Sequence, residues 1–121
     1  MQKDFKLRDS AEYQKVFKQN KSLRHKYWLI LYRPNEKASA RLGTAISKKN
    51  VRKAVQRNRL KRIIKETFRQ NRKTLGSVDI VVLARPGVCE KSNRELNATI
   101  TKQWKKLAKE SPVKINEQAD R

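Results

Sequence analysis

The sequence predicts an α+β domain, a two-layer α/β sandwich in which a small mixed sheet is covered by helices, and three patterns predict it. Leu60, Ile63, Ile64 and Phe68 recur at helical spacing inside the segment Lys53 to Arg69. Leu96, Ile100, Trp104 and Leu107 do the same near the C-terminus. Between and before these helices stand unbroken apolar runs, Tyr27 to Tyr32 and Val78 to Ala84, with the length and composition of strands. The implied order is helix, strand, strand, helix, strand, helix.

Taken in order, Asp9 or Ser10 is placed to cap a first helix, with Glu12 completing a capping-box-like arrangement. Tyr13, Val16 and Phe17 then share one face of it. Leu23 to Tyr32 reads as a single strand, either covered on both sides or exposing a face meant for contact. Pro34 removes a ladder donor and opens a turn through Lys37. Leu42 to Ser47 resumes as a second strand, most simply antiparallel to the first. Lys48-Lys49-Asn50 leads into the long basic helix, for which Gly76 is the C-terminal stop. Val78 to Ala84 is the strongest buried-strand candidate and is ended by Arg85-Pro86-Gly87. Ser92 to Glu95 forms a capping box for the last helix. The pattern fades after Glu110, so residues 1–110 are expected to form one domain and residues 111–121 a loose tail.

Composition narrows the function. A net charge of +21 on 121 residues fits either a disordered basic tail or a folded nucleic-acid binder, and the regular apolar patterning favours the second. No stretch approaches the roughly 18 consecutive apolar residues of a membrane span. The start, MQKDFKLRDS, has no apolar signal core, so the expected location is the cytoplasm. Cys89 stands alone, which excludes an internal disulfide and a cysteine-cluster metal site and leaves a packed or surface thiol. His25, between Arg24 and Lys26, reads as a surface or RNA-adjacent histidine rather than a base. The 11 acids are scattered, without the spacing of a metal-binding carboxylate cluster. Asp79, inside a strand pattern, reads as a strand-edge or ion-paired residue. The 3 glycines stand too far apart for a phosphate loop. No catalytic residue and no metal ligand is expected in the chain, and any chemistry belongs to a partner.

The cations are a different matter. Thirteen basic residues lie between Arg41 and Lys73 against one acid, Glu66. Arg57, Lys61 and Lys65 follow one another at i, i+4 and i+8, where like charges destabilise a helix by about 0.2–0.5 kcal/mol per pair. A helix that keeps this repulsion asks for a polyanion. Tyr13 and Phe17, with the Tyr27–Tyr32 strand, are either core or a platform for unpaired bases, which stack at about 1–3 kcal/mol each.

The segment from Arg41-Leu42-Gly43 through Ser47-Lys48-Lys49, followed by Ala54 to Arg62 with Arg57-Asn58-Arg59 at its centre, resembles the signature of the bacterial ribonuclease P protein subunit. Tyr13-Gln14-Lys15-Val16-Phe17 is similar to that family's first-helix pattern, and VDIVVLARP to its third strand. The resemblance implies a left-handed βαβ crossover, against the usual right-handed rule. It also implies a subunit of an endoribonuclease ribonucleoprotein whose RNA does the chemistry, removing the 5′ leader of precursor tRNA. That reaction depends on Mg2+, held mainly by the RNA and the substrate. The implied partners are the catalytic ribonuclease P RNA and precursor tRNA, with no membrane and no obligate protein partner.

Carried onto this chain, the family's RNA-binding helix and adjacent loop become Lys48, Lys49, Lys53, Arg57, Asn58, Arg59, Lys61, Arg62 and Lys65. The family's leader cleft, between the first helix and the sheet, becomes Tyr13, Phe17, Lys18, Tyr27 and Leu31. A strand position that is aromatic in the family falls at Leu31, so either Tyr27 or Tyr32 serves or the register is shifted. On charge and size alone, a structural ribosomal-type RNA protein remains the alternative, distinguished by having no substrate.

Overall fold

A computed structural model of the chain describes residues 6–7, 9–37 and 39–110, and the predicted tail 111–121 lies outside them. Asp9 starts helix α1 (Ser10–Lys18), its Oδ1 accepting the Glu12 amide at 3.0 Å. The Glu12 carboxylate reaches across to the sheet, where Oε2 lies 3.0 Å from Arg41 Nη1. The run expected to be one strand is two, β1 (Lys21–Arg24) and β2 (Trp28–Pro34), paired antiparallel with Leu23 opposite Ile30. His25 makes the break. Its amide donates to the Trp28 carbonyl at 2.9 Å and its Nδ1 accepts the Tyr27 amide at 3.0 Å, closing a tight turn.

Strand β3 (Arg41–Ala45) does not lie against β2, as the simplest reading had it. The sheet order is β1-β2-β4-β3, with β4 (Val78–Ala84) antiparallel to β2 and parallel to β3. The reason is the composition of β4. Six of its seven residues are buried, so it needs cover on both faces and a neighbour on both edges, which only a central position supplies. Helix α2 (Ala54–Leu75) is the crossover between the parallel strands β3 and β4. It continues beyond the densest basic segment to Leu75, which is fully buried, and stops at Gly76 as the sequence predicts, where φ is 79°. Helix α3 (Asn93–Glu110) is capped by Ser92, whose Oγ accepts the Glu95 amide at 3.1 Å.

The sheet divides the interior. Trp28, Ile30, Leu42, Ile80 and Val82 pack with α2 and α3 through Leu60, Ile64, Phe68, Leu96, Ile100, Trp104 and Leu107. The alternate residues Leu31, Ala45, Val81 and Leu83 turn to the other face and meet Tyr13 and Val16 of α1. Both buried indoles are satisfied: Trp28 Nε1 donates to Thr99 Oγ1 at 3.1 Å and Trp104 Nε1 to Thr67 Oγ1 at 2.8 Å. Asp79 sits in the central strand rather than at an edge. It is ion-paired, with Arg41 Nε and Nη2 each 3.0 Å away in a bidentate fork and Asn35 Nδ2 at 2.7 Å.

Candidate nucleic-acid interface

The loop from Ser47 to Lys53 delivers the basic segment. Asn50 pins it to the end of β4 by donating to the Ala84 carbonyl at 3.0 Å, and Ser47 Oγ accepts the Asn50 amide at 3.1 Å. Lys48 and Lys49 stand exposed in this turn, and exposed Lys53 occupies the N-cap of α2 without a side-chain cap bond. No acid lies in the first turn of α2, so its positive dipole end adds to the charge already there.

Along α2 the predicted residues separate. Asn58, Lys61, Arg62 and Lys65, with Glu66 and Arg69, line an open groove of about 320 Å³. Arg57 folds back instead, Nη1 donating to the carbonyls of Val51 at 3.0 Å and Arg52 at 2.8 Å. Its Nε and Nη2 make no hydrogen bond among the described residues. Arg59 turns the other way entirely. It donates to Asn93 Oδ1 at 2.6 Å, to Gln56 Oε1 at 3.0 Å, and to the carbonyls of Lys91 (3.2 Å) and Cys89 (3.3 Å). Of the motif Arg57-Asn58-Arg59, the last member is therefore a clamp between α2 and the segment before α3.

On the opposite face, Tyr13 and Leu31 come together over Val81. The Tyr13 ring lies so close to β3 that a Cβ on Gly43 would sit 2.6 Å from it, and its hydroxyl accepts the Thr44 amide at 3.3 Å. Phe17, one turn further along α1, is 42% exposed, and Lys18 beside it is exposed. Tyr27 is not in this group. It is only 7% exposed and belongs to the core on the α2 and α3 side, with its hydroxyl 3.5 Å from Glu95 Oε2. Tyr32 is buried on that same side, so neither neighbouring ring replaces an aromatic at Leu31. Strand alternation is the cause: Trp28, Ile30 and Tyr32 face the core, and Leu31 is the position that faces α1.

Two features were not anticipated from the sequence. Lys6 bridges to Leu42 at the open edge of β3, with Leu7 donating to the Leu42 carbonyl at 2.9 Å. There Lys6, Tyr13, Lys61 and Lys65 border one pocket of about 190 Å³. Burial, then the nearby charges of Lys6 and Lys61, hold the Lys65 ammonium below the usual lysine value. Nothing in the sequence marks Lys6, whose role depends on the fold bringing it beside α2. Among the described residues no group of three or more His, Cys, Asp or Glu could hold a metal ion. The carboxylates of Glu12 and Asp79 converge, but on Arg41, whose guanidinium stands between them and pairs with both. These side chains do not build a Mg2+ cage. No helix among the described residues is long and apolar enough to cross a membrane.

The fold and its surface define a small cationic α+β protein with a strongly basic crossover helix, in which Arg41 ties Asp79 of the central strand to Glu12 of α1. The chain belongs to the family described as Ribonuclease P, which matches residues 1–108. It is thus a protein subunit of a tRNA-processing endoribonuclease ribonucleoprotein, with RNA as its partner. The Ribonuclease P protein component of Coxiella burnetii is 41% identical over 107 residues, spanning 88% of each chain. That of Pseudomonas aeruginosa is 52% identical over 87 residues, 72% of this chain and 64% of its own. Among solved structures, the Staphylococcus aureus RNase P protein superposes with a TM-score of 0.77 at 28% identity, covering 87% of this chain and 95% of that one. The Thermotoga maritima RNase P protein gives 0.73 at 32% identity, covering 84% and 96%.

Proposed function

We propose that this subunit joins the catalytic RNA through the outer face of α2 and the Ser47–Lys53 loop, and holds the 5′ leader of precursor tRNA against the face carrying α1. The observation that carries this reading is the groove of Asn58, Lys61, Arg62, Lys65 and Arg69, where five polar or cationic side chains meet a single acid, Glu66. A phosphate backbone answers that charge, and each neutralised phosphate releases counterions. Lys48, Lys49 and Lys53 extend the surface toward the helix N-terminus, and Arg57 shapes the loop that presents them. On the other face, exposed Phe17 supplies a ring for stacking an unpaired base, with Tyr13 one turn before it on α1, Leu31 in the cluster that Tyr13 packs on, and Lys18 next in the chain to meet the RNA backbone. Phe17 and Val55 are the large apolar residues left exposed among those described, one on each proposed surface.

The hydrolysis itself is assigned to the RNA, with Mg2+ held mainly by the RNA and the substrate. The protein's contribution is to position the leader and to screen phosphate repulsion, which lowers the Mg2+ that the assembly requires. It acts in the cytoplasm with no obligate protein partner. The test is precursor-tRNA cleavage at low Mg2+ with catalytic RNA alone, this protein alone, and both together. Cleavage is expected only with both. Cleavage by the protein alone, or no gain on adding it to the RNA, defeats the reading.

A further inference from the structure

The two proposed RNA surfaces lie on opposite faces of the sheet, and they meet at one place. The open edge of β3 carries a pocket of about 190 Å³, bordered by Lys6, by Tyr13 of α1, by Gly43 and Thr44 of β3, and by Lys61 and Lys65 of α2. We infer that Lys6, Lys61, Lys65 and the Tyr13 hydroxyl form a site for a single phosphodiester, where an RNA strand passes from the α1 face to the α2 face. The inference rests on the proposed function and adds to it a defined contact that joins its two surfaces.

Three observations converge on it. Among the described residues no carboxylate borders the pocket, so the three ammonium groups have no counter-ion among them there. The Tyr13 hydroxyl is oriented by the Thr44 amide, which it accepts at 3.3 Å, and its own proton has no acceptor among the described residues. A phenol that accepts from the backbone is left as a donor, which is what a phosphate oxygen needs. Gly43 makes the position possible, because any Cβ there would push the ring off the strand. Finally, Lys61 and Lys65 also border the groove of Asn58, Arg62 and Arg69, so a strand leaving the pocket stays on cationic surface. Burial and the charges of Lys6 and Lys61 strain the Lys65 ammonium, and an anion in the pocket relieves that strain.

The probe is inorganic phosphate, titrated into the full chain while the Lys side-chain Nζ signals and the Tyr13 ring signals are followed by NMR. Lys6, Lys61, Lys65 and Tyr13 are expected to shift together, and the combined variant Tyr13→Phe, Lys65→Gln to lose the response. Tyr13→Phe keeps the ring over Gly43, and circular dichroism checks that the variants fold; Lys61→Gln serves if Lys65→Gln does not. Two further arms identify the source of the phosphate. If it is the leader's, the reconstituted enzyme with the double variant binds leader-bearing precursor about tenfold more weakly and leaderless tRNA as before. If it is the catalytic RNA's, the protein–RNA affinity falls about tenfold and its log–log salt slope shallows by about 0.7. Unmoved signals with phosphate, or changes below about twofold in both arms, overturn the site. A wild-type chain that fails to stimulate cleavage yet still shows the shifts refutes the proposed function and leaves the site standing.

Discussion

Replacing Arg59 with alanine removes a guanidinium that ties α2 to the segment entering α3. Its bonds to Asn93 at 2.6 Å and Gln56 at 3.0 Å are well formed, while those to the Lys91 and Cys89 carbonyls, at 3.2 and 3.3 Å, are weaker. A hydrogen bond to a charged group contributes about 1.5–3 kcal/mol. Arg59 is only partly buried and water can replace several of its partners, so about 2 kcal/mol is a fair total rather than the sum over bonds. For a domain of this size that corresponds to a fall of about 6–10 °C in Tm. Hydrogen exchange should quicken at the amides of Val88 to Lys91, whose turn the clamp braces. The salt dependence of catalytic-RNA binding separates this role from phosphate contact. Arg59→Ala should leave the log–log slope as it is, whereas Arg62→Ala should shallow it by about 0.7. An Arg59→Ala protein that melts with the parent and shallows the slope would show that Arg59 faces the RNA, and the clamp assignment would be wrong.

Three other perturbations test the framework. Gly43→Ala should cost about 1–3 kcal/mol, because the new methyl would sit 2.6 Å from the Tyr13 ring; Tyr13→Ala in the same chain should recover part of that loss, and strictly additive urea midpoints would sink the explanation. Asp79→Asn should be among the most destabilising single changes, about 3 kcal/mol, since it breaks the bidentate pair and leaves Arg41, at 14% side-chain exposure, with Glu12 as its carboxylate partner; the paired change Asp79→Leu, Arg41→Leu should cost less than Asp79→Asn alone, and the reverse order of chemical stabilities would count against it. Burial first, and Lys26 second, hold His25 below the ordinary histidine value of 6.5, so the unfolded chain takes up its proton at a higher pH than the folded one. This contribution to stability is complete above 6.5 and is lost as pH falls from there through the lower folded value, as protonation displaces the Tyr27 amide from Nδ1. His25→Asn keeps an acceptor without a titration and should flatten the urea midpoint across that window; an equal slope in both proteins would rule His25 out.

Element types were legible from local chemistry, because periodicity and capping are local signals. The apolar positions of α2 and α3, the cap at Ser92 and the stop at Gly76 all follow from residue spacing. Strand pairing was not, because it depends on residues far apart in sequence. Nothing near Leu42 states that β3 runs parallel to β4, and the aromatic run gave no sign that His25 would fold it into a hairpin. The geometry of the candidate surface was half legible for the same reason. Lys48, Lys49, Asn58, Lys61, Arg62 and Lys65 stand where helical spacing and the turn put them. Arg59 and Tyr27 are on the correct elements but are claimed by partners 30 or more residues away, Asn93 and Glu95, which a local pattern does not contain.

Apart from the Arg59 clamp and the bonds of Arg57 to the Val51 and Arg52 carbonyls, the charge on α2 does not hold the fold, and the magnitudes show why. Burying one leucine or isoleucine contributes about 1.5–3 kcal/mol, and Leu60, Ile64, Phe68 and Leu75 of α2 are all fully buried. A like-charge pair at i, i+4 costs about 0.2–0.5 kcal/mol, so a single buried residue outweighs several pairs such as Arg57–Lys61 and Lys61–Lys65. The helix therefore stands against its own repulsion without a partner, anchored from the apolar side. What an anion changes is confined to the cationic rim, where Lys65 is already desolvated beside Lys61 and Lys6. Sulfate or phosphate should accordingly raise Tm through binding to that rim in the native state. The gain should follow RT ln(1 + [L]/Kd) with the Kd measured for the same anion by NMR. A larger gain would mean that the anion completes the folding of α2 itself, and that the apolar anchor is weaker than its burial indicates.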